Sequence, residues 1–338
     1  MKLLGTGTFL PPRVVKNKEL EAMLDTSDEW IQQRSGIEER RWVDSKTSTS
    51  DLALAASEKA LRAAGLAPQD IDMIVLATLS PDHEFPATSC FLQKKLGLAN
   101  IPAFDVRQAC SGFMYGLSMA KQYLQTGAAK KILLVGAEVH SKCLDLTPRG
   151  REVSVLFGDG SGAVVLGASS PQDHANSTAR QLEFIDIEIG ADGSFARELW
   201  VPAPGTGFDT SLRLTQAMLD EGLYFPAMNG RTVFTHAVQK MSELLRRIAE
   251  RNQLQVDQID RFILHQANRR ICDAIAGQLN LPTDRFFNTI QKYGNTSAAS
   301  IPIGLHDAID CGELKPGMTA AFAVFGAGFC YGSALARW

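Results

Sequence analysis

No CxxC pair, no apolar run of membrane-spanning length and no excess of positive charge occurs in this 338-residue chain. Each absence removes a class of function. The six cysteines, at 90, 110, 143, 272, 311 and 330, follow no metal-ligand spacing, so neither a zinc module nor a disulfide framework is expected. His140 and Cys143 stand three apart, but no second pair completes a metal site. The longest apolar stretches, residues 132–137 and 320–325, have core-strand length, whereas a membrane helix needs about 20 residues. A net charge of -3 gives no global field for nucleic acid or an anionic membrane. An acidic partner would have to meet a local basic patch. Residues 1–7 break with glycine too early for a signal peptide, so a cytoplasmic protein with reduced thiols is expected.

What is present is ordinary globular composition, 45% hydrophobic and 21% charged, at a length for one large domain or two. Buried-strand runs at residues 71–77, 132–136, 162–167, 262–264 and 320–325 alternate with helical patterns such as 50–64, which predicts an α/β architecture covered on both faces. The chain also repeats itself at long period. Asp70-Ile71-Asp72-Met73-Ile74-Val75-Leu76 is similar to Gln258-Ile259-Asp260-Arg261-Phe262-Ile263-Leu264, and Phe157-Gly158-Asp159-Gly160-Ser161-Gly162 to Phe325-Gly326-Ala327-Gly328-Phe329-Cys330. The common order implies a duplicated fold with halves 1–175 and 176–338. Residues 171–181 are the best linker. Residues 201–233 are too apolar for one, and read either as a cap over a pocket or as an ordinary helix.

Three residues could carry chemistry. Cys110 follows the strand pattern of residues 103–106 and precedes a small-residue helix. Unpaired N–H groups at a helix N-terminus favour a thiolate; the alternative is an inert buried thiol. His265 ends the 262–264 strand, where active residues of α/β folds gather, although a lone histidine there is more often structural. Asn295 also reads as a helix N-cap. An interval of 185 residues separates both Cys110 from Asn295 and Gly127 from Gly312. Cys110 and Asn295 are therefore expected at equivalent places in the two halves, with their helix N-termini meeting at the centre.

Six motifs, in order, then carry a resemblance. They are Asp25-Thr26-Ser27-Asp28-Glu29-Trp30-Ile31 with Arg34-Ser35-Gly36-Ile37, Ala109-Cys110-Ser111-Gly112-Phe113, Phe157-Gly158-Asp159-Gly160, His265-Gln266-Ala267-Asn268, Gly294-Asn295-Thr296-Ser297-Ala298-Ala299-Ser300, and Gly328-Phe329 with Gly332-Ser333-Ala334. Over essentially its whole length the chain resembles β-ketoacyl-acyl-carrier-protein synthase III, of the thiolase superfamily. The resemblance implies a five-layered αβαβα fold of two duplicated halves related by a pseudo-twofold. It also implies a Cys110, His265 and Asn295 site for decarboxylative condensation of an acyl-CoA primer with malonyl-acyl-carrier protein.

The same resemblance implies the remaining roles. Backbone N–H groups of Cys110 and Ala327 would hold the acyl oxygen, Ala327 standing where the family commonly has glycine. Trp30, Arg34 and Arg149 match positions that bind coenzyme A. Phe85 matches a residue of the partner subunit's acyl pocket, so a homodimer is implied. Arg270 matches a carrier-protein contact, which Arg269 could extend, although Gln278 stands where the family often has lysine. No permanently bound cofactor and no metal is implied; the coenzyme A thioester is substrate. The Cys110-to-His265 interval is lengthened between residues 201 and 233, and Leu79-Ser80-Pro81-Asp82-His83 is similar to the branch making alkylquinolone precursors. Both imply a specialised alternative with a longer, β-keto or aromatic primer, or a malonyl-CoA extender. A cysteine thioester hydrolase and a non-catalytic acyl-binding protein are the readings from other classes. A degradative thiolase would carry a second cysteine in place of Asn295.

Overall fold

The apolar runs of the sequence become strands of one large sheet in the computed structural model, which describes residues 1–169 and 181–338. The strands are β1 (Lys2–Phe9), β2 (Met73–Ala77), β3 (Ala103–Val106), β4 (Lys131–Glu138), β5 (Gly160–Gly167), β6 (Glu183–Ala191), β7 (Arg261–Leu264), β8 (Phe286–Phe287), β9 (Thr319–Gly326) and β10 (Cys330–Arg337). Their order across the sheet is β8-β7-β9-β10-β6-β1-β5-β4-β2-β3. Adding five to each strand number turns one half into the other. Directions repeat as well: the inner pairs β1/β5, β5/β4, β6/β10 and β10/β9 are antiparallel, and β4/β2, β2/β3, β9/β7 and β7/β8 parallel. All of β1–β5 precedes residue 169 and all of β6–β10 follows residue 181. The expected boundary at 175, and the linker except Gln181, lie outside the described residues.

Among the described residues seven helices have eight residues or more. They are α1 (Asp28–Ser35), α2 (Thr49–Ala64), α3 (Thr88–Lys95), α4 (Gly112–Gln125), α5 (Gly230–Arg251), α6 (Arg269–Leu279) and α7 (Ser300–Asp310). Six of them, α2 to α7, follow the same order in the two halves. Local chemistry sets their ends. Ser48 and Asp51 form a reciprocal capping box at the start of α2, and left-handed Gly65 terminates it. Helix α4 packs on β2, β3 and β4 of one half and on β6 and β10 of the other; α7 packs on β1, β4, β5 and β7. Helix α2 covers the first half from outside and α5 the second. The result is the five-layered αβαβα arrangement.

Both sheet faces are therefore buried, which explains the unbroken apolar strands. In β5, Val164 and Leu166 join Phe113, Leu117, Ile301 and Phe322 in the central core. Ala163 and Val165 of the same strand face the outer core with Ala56 and Ala60 of α2. Among the described residues no helix is long and apolar enough to cross a membrane.

Candidate active site

The two central helices start with the same local device. A 3-10 turn, Ala109–Ser111, precedes α4, and another, Ser297–Ala299, precedes α7. The turns touch one another, so the helix starts do meet at the centre. Each turn opens on a left-handed residue, Ala109 or Ser297, both with φ 48°. This alignment pairs Cys110 with Ala298 and corrects the expected pairing of Cys110 with Asn295. The 185-residue spacing holds only at the C-terminal glycines, Gly127 and Gly312, with φ 73° and 75°. Helix α4 has 14 residues and α7 has 11, which shifts the match by three at the N-terminal end. Asn295 stands two residues before its turn.

Cys110 is buried, and the Ser297 hydroxyl donates to its Sγ at 3.5 Å. Burial pushes the thiol up to about 11; the Ser297 hydrogen bond opposes this, and the charge of buried Glu138 adds to it. Burial thus works against the thiolate that a helix terminus would favour. Gly326, at the end of β9, lies hard against the cysteine. A Cβ there would stand 2.9 Å from Cys110 Cβ and 3.0 Å from Cys110 N. The close approach to Cys110 that only glycine permits thus falls at Gly326, one residue before Ala327. Ala327 itself is half-buried.

His265 follows β7, and its backbone N–H continues the ladder to Ala323 O at 2.9 Å. The rest of its motif is scaffolding. Gln266 Oε1 receives the N–H groups of Thr289 and Ile290 at 3.0 and 3.1 Å. Asn268 caps α6 and donates to Arg34 O at 2.8 Å, tying Arg34 to the end of the strand. The His265 ring is 3% exposed, with Nδ1 hydrogen-bonded to Ser300 Oγ at 2.7 Å and Nε2 without a partner. Burial holds its pKa down to about 3, so the imidazole is neutral at physiological pH.

The glycine-rich motif at 157–160 acts on Asn295. Gly158 N–H donates to Asn295 O at 3.1 Å, and Asn295 N–H to Leu156 O at 2.8 Å. A Cβ at Gly158 would lie 2.1 Å from Tyr293 O, so only glycine permits this clamp. Asp159 is buried and receives the N–H groups of Val43 and Ser141, each at 2.8 Å. The Asn295 side-chain oxygen accepts the Ser297 N–H at 2.8 Å, which leaves Nδ2 as its free donor.

Cys110, His265 and Asn295 line a single cavity of about 790 Å³, together with Trp30, Arg34 and Arg270. The Arg151 guanidinium, which does not itself line the cavity, lies 4.3 Å from the Trp30 ring centre and that of Arg34 lies 5.7 Å away. Arg149, Arg269, Phe85 and Ala327 are not among the lining residues. Arg149 turns instead to Asp145, at 2.6 Å, and to Phe225. Besides Arg34, the cation over Trp30 is thus Arg151, two residues on from Arg149, a register that local sequence does not distinguish. Arg269 lies 3.9 Å from Asp273, and Phe85 is 81% exposed. Of the 201–233 insert only Met228, Asn229, Gly230, Arg231 and Val233 line the cavity. Arg247 and Arg251 are engaged by Glu188 and Asp186 at 2.9 and 2.8 Å. His140 packs on Phe157, and among the described residues no group of three or more His, Cys, Asp or Glu could hold a metal ion. Ser297, Ser300 and Gly326 were missed as site residues. Their only sequence signal was membership of the quoted motifs.

The chain has close relatives of known kind. Residues 104–193 match the family model described as 3-oxoacyl-[acyl-carrier-protein (ACP)] synthase III, and residues 249–338 match the model of its C terminal. The beta-ketoacyl-[acyl-carrier-protein] synthase III of Caldanaerobacter subterraneus subsp. tengcongensis is 41% identical over 336 residues, covering 99% of this chain and 97% of that one. The enzyme of the same name from Geobacillus kaustophilus is 42% identical over 336 residues, covering 99% and 98%. The crystal structure of 3-oxoacyl-[acyl-carrier-protein] synthase III from Aquifex aeolicus superposes with a TM-score of 0.87 at 39% identity, covering 100% of this chain and 99% of that one.

Proposed function

This chain belongs to the 3-oxoacyl-[acyl-carrier-protein] synthase III family of acyltransferase-type condensing enzymes, and on that premise we propose that Cys110, His265 and Asn295 carry its two half-reactions. In the first, the Cys110 thiol gives up its proton and the sulfur attacks the carbonyl of an acyl-CoA. The carbonyl–sulfur bond to coenzyme A breaks, and coenzyme A leaves as the thiol. In the second, a malonyl group on acyl-carrier protein loses CO2, and the electron pair of the broken C–C bond becomes an enolate. The enolate carbon attacks the acyl-cysteine, the bond to Cys110 sulfur breaks, and 3-oxoacyl-carrier protein is released.

One observation carries this reading: the His265 Nε2 atom is buried without a partner on the same cavity as Cys110 and the Asn295 amide. Two neutral donors in a desolvated site stabilise an enolate oxygen as it gains charge. A hydrolase needs a basic imidazole near water instead, which the depressed pKa of His265 opposes. Backbone N–H groups beside Gly326 and at Cys110 would hold the acyl oxygen. Trp30 and Arg151, with Arg34, form a stacking surface for the adenine of coenzyme A, and Arg270 offers a cation to an acidic carrier protein at the mouth. The exposure of Phe85 fits burial against a second copy in a cytoplasmic homodimer. The primary role we propose is initiation of fatty-acid synthesis.

Intact-protein mass spectrometry with acetyl-CoA and longer acyl-CoAs, followed by malonyl-acyl-carrier protein, tests the scheme. The expected result is an acyl adduct on Cys110 that is consumed, with CO2, when the malonyl partner is added. An adduct that passes to water irrespective of the malonyl partner, or no adduct with any primer, overturns it.

A further inference from the structure

We propose that Ser300 is a positioning residue that holds His265 as the tautomer with its proton on Nε2, making the imidazole a hydrogen-bond donor to the enolate and not a base. This inference rests on the condensing reading above and concerns how that site is set.

The geometry carries it. Ser300 is the first residue of α7, 1% exposed, and its hydroxyl lies 2.7 Å from His265 Nδ1. A neutral imidazole carries one N–H and one bare nitrogen, and the partner of one nitrogen decides the state of the other. Among the described residues the Ser300 hydroxyl has no other side-chain or backbone partner. Its proton therefore has one acceptor, Nδ1, and the ring proton is left on Nε2. That atom is buried with no partner of its own, in a residue that lines the cavity, a donor held ready for an oxygen that arrives with the substrate.

A carboxylate at the position of Ser300 would do the opposite. It would hold the proton on Nδ1, leave Nε2 bare, and stabilise an imidazolium, the arrangement that makes a histidine a general base. Serine supplies a proton but no charge. It thus fixes the tautomer without raising the basicity of a ring already held neutral by burial. Ser297, one turn earlier, serves the sulfur of Cys110 and not the imidazole, so a change at Ser300 separates the two half-reactions.

The test compares Ser300→Ala, Ser300→Thr and Ser300→Asp in the full chain. Acetyl loading of Cys110 from acetyl-CoA is followed by mass, and CO2 release from malonyl-CoA is followed separately. Each rate is read as a ratio to the unsubstituted protein. The expected result is that Ser300→Ala lowers CO2 release by about 10- to 100-fold relative to loading, as loss of a supporting hydrogen bond does elsewhere. Ser300→Thr restores it, and Ser300→Asp lowers it further, toward the loss of the donor itself at about 100- to 1,000-fold. Nitrogen-15 spectra of histidine-labelled protein should place His265 Nε2 in the protonated range in the unsubstituted chain, and out of it in Ser300→Asp. Equal loss of both rates in Ser300→Ala, or a bare Nε2 in the unsubstituted chain, overturns the proposal. If the unsubstituted chain neither loads acetyl groups nor releases CO2, it is the condensing reading that fails, and the spectrum still decides the tautomer.

Discussion

Ala109 and Ser297 share a left-handed backbone, φ 48° in each, as the first residue of the turn leading into a central helix. The shared torsion aligns the two halves more closely than any side chain does. It pairs Cys110 with Ala298, so the duplicated scaffold provides two similar helix starts and only one carries a thiol. Ser297 then reaches across and donates to the sulfur of the other half. The site is built at the pseudo-twofold axis because the two unpaired helix N-termini meet there.

Replacing Cys110 by alanine should separate the two half-reactions. Acyl loading is expected to vanish, whereas CO2 release from a malonyl thioester should persist through His265 and Asn295. Mass spectrometry of the variant with acetyl-CoA checks the first part. Normal loading would mean that the nucleophile lies elsewhere.

The pH dependences of the two steps should differ. Below the thiol's raised value of about 11, each unit of pH increase gives about tenfold more thiolate, so loading should climb steadily from pH 6 to 9. CO2 release should stay flat over that range, because His265, held near 3, does not titrate there. The same depressed pKa acts on folding. Between about 3 and 6.5 the unfolded chain binds a proton at this histidine that the native chain refuses, so stability falls as pH drops through that window. Single-turnover rates and thermal melts across pH provide the check.

Asn295→Asp should damage decarboxylation far more than loading. The carboxylate can still accept the Ser297 N–H, which Asn295 Oδ1 accepts at 2.8 Å, so the local fold survives. The donor is lost and a negative charge faces the enolate, at an expected cost of about 100- to 1,000-fold in CO2 release. Equal loss in both steps would identify a merely structural asparagine.

At Gly326 a single methyl group should disable the nucleophile. The added carbon of Gly326→Ala would meet Cys110 Cβ at 2.9 Å and its N at 3.0 Å, forcing the cysteine out of place. A stability loss of about 1–3 kcal/mol is expected from the overpacking, with loading reduced more than the melting point implies. The neighbouring Ala327→Gly should be tolerated. Melting and loading assays on both variants decide the matter.

Binding of coenzyme A thioesters should depend on the Trp30–Arg151 stack. Trp30→Ala removes a base-stacking surface worth about 1–3 kcal/mol, which raises KM for acyl-CoA by about 5- to 150-fold while kcat for bound substrate changes little. Arg151→Ala should follow the same pattern, and Arg149→Ala, whose side chain is turned to Asp145, should move KM less. Initial-rate kinetics with the three variants would reverse the assignment if Arg149 proved the more costly loss.

The buried strands, the repeated order of elements and the three residues that line one cavity were legible in the amino-acid pattern. Residues 162–167 had to be buried on both faces because they are apolar without interruption, and β5 is (Val164 inward, Val165 outward). Cys110, His265 and Asn295 stood at element junctions with motifs around them, so local pattern was enough to single them out. The protonation of Cys110 and His265 was not legible there, because it comes from packing. The high pKa of Cys110 and the low one of His265 come from desolvation, which is a property of everything packed around a side chain and not of its neighbours in the chain. Whether Arg149 or Arg151 faces Trp30 depends on a turn of backbone between elements far apart in sequence. The hydroxyls of Ser297 and Ser300 became part of the site because α7 packs its first turn between two half-sheets. Sequence spacing carries no record of that distance, since three residues more or fewer in a helix realign the ends it joins.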